Sequence, residues 1–101
     1  MEALMATYVI LANFTDKGVH DAKDTINRAD KFKAMAKNAG VTVKDMYWTI
    51  GTFDVVTICE APDDETATAL SLSIATRGNV RTQTLRAFNP AEMSKILDKM
   101  V

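Results

Sequence analysis

Residues 41–62, reading V-T-V-K-D-M-Y-W-T-I-G-T-F-D-V-V-T-I-C-E-A-P, constrain this chain more than any other stretch. Two strand-like runs meet at Gly51, and the second carries Val55, Val56, Ile58 and Cys59, so apolar side chains fall at successive positions. Successive side chains of a strand point to opposite faces, and such a strand needs cover on both. Helices can cover one face; the other needs a second layer.

Residues 7–14, T-Y-V-I-L-A-N-F, are rich in aromatic and β-branched side chains and end at a turn-like T-D-K-G, which predicts a first strand. One of its faces holds Val9 and Leu11, the other Tyr8, Ile10, Ala12 and Phe14, and neither is polar. From 19 to 39, Val19, Ala22, Ile26, Ala29, Phe32, Ala36 and Ala39 recur at helical spacing, and Gly40 supplies the stop. Thr15 or Asp16 is the expected N-cap, and Asp24 stands one turn before Arg28 for an ion pair. Pro62 and the acids Asp63, Asp64 and Glu65 open a second helix running to about Arg77, ended by Gly78 and Asn79. Residues 80–88 alternate with one more polar face, as an edge strand does. Asn89, Pro90 and Glu92 then make a capping-box start to a short last helix with a stripe of Met93, Ile96, Leu97 and Met100.

The order β-α-β-β-α-β plus a terminal helix predicts an α+β, ferredoxin-like, four-stranded antiparallel sheet whose first and third strands are central. Both helices of such a sheet lie on one face, so an apolar patch is left on the other. Patches above a few hundred Å² rarely stay exposed on monomers. Covering about 400 Å² per subunit is worth roughly 10 kcal/mol before association entropy is subtracted. A face-to-face homodimer is the expected solution.

With 101 residues, one domain spanning 1–101 is expected, its first six residues forming a flexible N-terminus. Charged residues make up 25% and the net charge is −1, with no basic block, which disfavours nucleic acid and anionic membranes as partners. One cysteine, Cys59, excludes an intrachain disulfide, and no stretch approaches the roughly 20 apolar residues of a membrane span, so a cytoplasmic location is expected.

The segments M-Y-W-T-I, G-T-F-D, V-V-T-I-C-E-A-P-D-D-E-T-A-T-A-L and V-R-T-Q-T-L-R-A-F together resemble the GYD-domain family over nearly the whole chain. Phe53 stands where the family's Gly-x-Tyr-Asp motif has Tyr, so aromatic bulk is retained and the phenol is lost. The resemblance implies the dimeric α+β-barrel type of ferredoxin-like fold and says little about activity. The Gly-x-(Tyr/Phe)-Asp hairpin is also similar to one in the ligand-binding domains of feast/famine regulators, although this chain has no room for a helix-turn-helix.

Candidate ligand-binding residues are Gly51, Phe53 and Asp54 of the hairpin, Tyr47 and Trp48 before it, and Arg86. Each has a structural alternative: Gly51 for positive φ, Asp54 for backbone amides, the aromatics for packing, Arg86 for a surface ion pair. Arg81 and Arg86 fall on opposite strand faces and do not form one anion clamp. One His and one Cys give no zinc spacing, and glycine-rich phosphate loops and nucleophile elbows are missing, so no metal or cofactor is expected. Three functions remain open: a homo-oligomeric module binding or sensing a small molecule, a cofactor-free enzyme of the monooxygenase or isomerase kind, and a structural assembly protein.

Overall fold

A computed structural model describes residues 4–101. Its elements are β1 (Ala6–Phe14), α1 (Asp16–His20), a 3-10 turn (Ala22–Asp24), α2 (Thr25–Asn38), β2 (Thr42–Trp48), β3 (Val55–Ala61), α3 (Asp64–Ala75), β4 (Val80–Ala87) and α4 (Pro90–Asp98). The strands form one antiparallel sheet in the order β2-β3-β1-β4, so the two doubly apolar strands are central, as the sequence predicts. Part of the expected flexible N-terminus, residues 1–3, lies outside the described residues, and Ala6 already belongs to β1. No helix among the described residues is long and apolar enough to cross a membrane.

Register sorts the side chains. Tyr8, Ile10 and Ala12 of β1 and Thr57, Cys59 and Ala61 of β3 are buried on the face that carries α2 and α3. Alternation sends Val9, Leu11, Val56 and Ile58 to the opposite face, where they are half-buried by their neighbours alone. Tyr47 and Leu85 flank them on the outer strands and remain 56% and 41% exposed. Of the two patches the sequence allowed, the open one is built from Val9 and Leu11.

The expected continuous helix over 19–39 is broken. Thr15 caps α1 by accepting from the Gly18 amide, donates its hydroxyl to the Gly78 carbonyl, and uses its own amide on the Asn79 carbonyl at 3.0 Å. Those bonds pin α1 to the start of β4. Gly18 is buried so closely there that an added Cβ would lie 2.0 Å from the Asn79 oxygen. The chain must then turn before α2 can lie along the sheet, and Arg28 braces the turn through the carbonyls of Asp21 at 2.6 Å and Gly18 at 3.1 Å. The Asp24–Arg28 pair therefore does not form; Asp24 accepts from Asn27 instead. The break also rotates Val19 and Ile26 out to solvent.

Packing on the helix side is uneven. Tyr8, Ala36, Val41, Cys59, Ala61, Ala67 and Leu70 close one end into a core of mostly small side chains. The last helix has the predicted capping box, with Asn89 and Glu92 each accepting the other's amide, but its Met93, Leu97 and Met100 remain exposed. Replacing Gly18 by Ala forces a methyl against backbone, which cannot yield as a side chain would. We expect Gly18→Ala to lose about 2–3 kcal/mol in urea unfolding, against less than about 0.5 for the exposed control Lys23→Ala.

Candidate functional site

The other end of the helix side is not filled. Ala12, Ala29, Thr57 and Thr82 face inward there, and these short side chains leave a cavity of about 440 Å³ between α2 and the sheet. It is sized like a small-molecule site. Phe14 and Val55 line the sheet end, Phe32 and Met35 come from α2, Met46 and Trp48 from β2, and Ile74 from α3. Trp48 spans the gap, its indole N–H donating to the Thr25 hydroxyl at 2.9 Å, which ties the edge strand to the first turn of α2.

Charge is confined to the rim. Lys17, Arg28, Lys31 and Arg77 stand there with a single acid, Asp24. Lys17 donates to the Arg77 carbonyl at 2.9 Å, closing the α1 side of the mouth, and the Arg28 guanidinium lies 5.6 Å from the centroid of the Phe14 ring. That distance is within reach of a cation–π attraction.

Of the residues singled out from sequence, Trp48 alone lines this cavity. Gly51 has φ +127 in the hairpin, a conformation that excludes most other residues. The hairpin connection covers residues 49–54, so Phe53 lies in the loop and the strand partner of Trp48 is Val55. Asp54 accepts a hydrogen bond, but from the Phe14 amide of β1 at 2.8 Å rather than from the turn, while its own amide donates to the Ala12 carbonyl at 2.9 Å. Its carboxylate thus prolongs the β1–β3 ladder by one bond at the end of the cavity. Tyr47 lies on the open face opposite Val56. Arg86 sits far along β4, 4.5 Å from the Phe88 ring centroid and 3.5 Å from the Glu92 carboxylate, in the structural role considered for it.

Sequence reasoning missed the cationic rim because its members come from three separate parts of the chain: α1, α2 and the segment after α3. The signal available was the run of short side chains at helix-facing strand positions Ala12, Thr57 and Thr82, which marks room as surely as large ones mark core.

The groups whose proton affinity the fold alters lie away from the cavity. Burial, helped by its bond to Asp64, pushes Tyr8 up to about 12. Burial likewise raises the Cys59 thiol, which lies within the core. Thr66, through its hydroxyl and amide, holds the Asp63 N-cap carboxyl below its ordinary range, and the Asn89 amide does the same for Glu92.

Residues 8–97 match the family described as GYD domain. The chain is also similar to a protein of Thermus thermophilus named "Glutamine synthetase and cystathionine beta-lyase binding protein". The two are 31% identical over 93 residues, which cover 88% of this chain and 95% of the relative.

Because the folded state holds the Tyr8 proton more tightly than the unfolded chain, its contribution to stability is complete below pH 10 and is lost as pH rises toward about 12. Denaturant titrations of wild type and Tyr8→Phe across that window should show the wild type falling more steeply. Parallel curves would place the phenol in water.

Proposed function

We propose, from the premise that the chain belongs to the GYD-domain family, that it is a homo-oligomeric binding module which takes up a small molecule and docks onto protein. One observation carries this reading: β1 and β3 present the cavity on one side and an uncovered apolar face on the other. Ile10 and Ala12 line the cavity while Val9 and Leu11, their neighbours along the strand, form the outer patch. A likeness to a relative named for binding two enzymes supports protein contact as part of the role.

In this reading Trp48 touches the ligand, whereas Gly51 and Asp54 hold the hairpin against the cavity's end and Phe53 packs within it. Tyr47 belongs to the association face. Arg86 steadies the base of α4 through Glu92. The first partner for the open face is a second copy, because a two-fold axis lays one Val9–Leu11–Val56–Ile58 patch on another and covers both.

Sedimentation at low micromolar concentration should give a dimer or larger species. Ile58→Lys should weaken it by at least about 100-fold, with unchanged far-UV circular dichroism, because an isologous interface receives the buried charge twice. A wild type that sediments as a monomer would remove self-association from the proposal. Native mass spectrometry of the protein taken from its own host addresses the other half: a mass excess lost on denaturation supports the ligand, and bare protomer mass argues for assembly alone.

A further inference from the structure

Resting on the reading of the cavity as a small-molecule site, we infer that its occupant is an amphipathic anion, a carboxylate or similar acid head on an apolar body. The chain carries 12 Lys and Arg against 13 Asp and Glu. Among the described residues the mouth has four cations to one acid, Asp24, a balance unlike that of the whole chain. Two of the cations are committed to the fold: Lys17 to the Arg77 carbonyl, Arg28 to the carbonyls of Asp21 and Gly18. Lys31 and Arg77 enter neither of the two ion pairs formed among the described residues, Lys44–Glu60 and Arg86–Glu92. Lys31 belongs to α2 and Arg77 follows the C-cap of α3, so two separate segments bring an uncommitted cation to the lining of one cavity.

The interior specifies the rest of the molecule. Aromatic and aliphatic side chains such as Phe14, Phe32, Met35 and Trp48 form the walls, and the Trp48 N–H is already used on Thr25. Thr57 and Thr82 supply the hydroxyls on the sheet side. A sugar or a nucleobase buried there would leave most of its polar groups without partners, at a cost of a few kcal/mol each. An apolar chain or ring leaves none unpaired. A cationic amphiphile has the right body and the wrong head for this rim.

Isothermal titration of the full-length protein with decanoate, 1-decanol and decylamine, all below micelle-forming concentrations, separates these terms. Decanoate should bind at least about tenfold more tightly than decanol, and decylamine most weakly. Lys31→Ala and Arg77→Ala should each weaken decanoate by about three- to fivefold while leaving decanol unchanged, the range for a solvent-accessible charge pair. Lys99→Ala, which removes an exposed cation that does not line the cavity, should leave decanoate affinity unchanged, which ties the loss to the rim. Equal affinities for decanoate and decanol, or full decanoate binding in the Lys31→Ala/Arg77→Ala double variant, would overturn the anion assignment and leave the small-molecule reading standing. A matching loss in Lys99→Ala would make the attraction one of overall charge and overturn the assignment to the rim. Failure of all three probes would overturn the amphipathic-anion assignment and leave the small-molecule reading to the native mass spectrum.

Discussion

Everything in this fold follows from two adjacent strands that are apolar on both sides. β1 and β3 cannot be edge strands, because an edge would leave one flank and both faces wet, and they pair with each other at the centre of the sheet. Their helix side is then covered by α2 and α3. The connections offer no second layer of helices for the other side. A row from Leu85 through Val9 to Ile58, beside another from Leu11 through Val56 to Tyr47, is what the chain leaves uncovered. Hydrophobic attraction carries no directional bonds, and the Lys44–Glu60 pair supplies a polar feature beside this apolar area.

Polar ties decide how the helix side is divided. At the closed end, Tyr8 reaches from the sheet to Asp64 in the first turn of α3 and lets the small side chains of Ala61 and Ala67 pack tightly. At the other end, Asp54 extends the β1–β3 ladder, Trp48 holds β2 to Thr25, and Arg28 holds the turn before α2. These contacts fix the walls without filling the space between them. A cavity framed by hydrogen bonds at its corners keeps its shape, because closing it would first have to break those bonds.

Strand order, both long helices, the acidic start of α3 at residues 63–65, the N-cap at Asn89 and the existence of an open face were legible in the sequence because each depends on local pattern: period two, period 3.6, or charged and capping residues at fixed spacing. The break at residues 21–24 was not, since the apolar spacing of Val19 and Ile26 continues through it. What breaks the helix is tertiary: the Thr15 and Gly18 contacts with Gly78 and Asn79, some sixty residues away in the chain. The site was half legible for the same reason. Trp48 and Asp54 stood out as residue types, but Asp54's partner, Phe14, belongs to another strand, and the rim cations converge only when α1, α2 and α3 surround one opening.

Cavity and outer patch share the same two strands, and this sets what any communication between them requires. A ligand shifts an association equilibrium only by the difference between its affinities for the separate and associated states. Filling the cavity with an apolar body touches Ile10, Ala12, Val55 and Thr57, whose strand neighbours Val9, Leu11, Val56 and Ile58 form the patch, so the two surfaces are one backbone apart. A change in twist or pleat at β1 or β3 is therefore felt on both sides. The short side chains that make the cavity also leave α2 free of close interdigitation with the sheet at that end, and a helix seated on a void can shift at less energetic cost than one locked into a packed core. The same absence of bulk that creates room for a ligand thus creates the compliance through which its arrival can reach the opposite face.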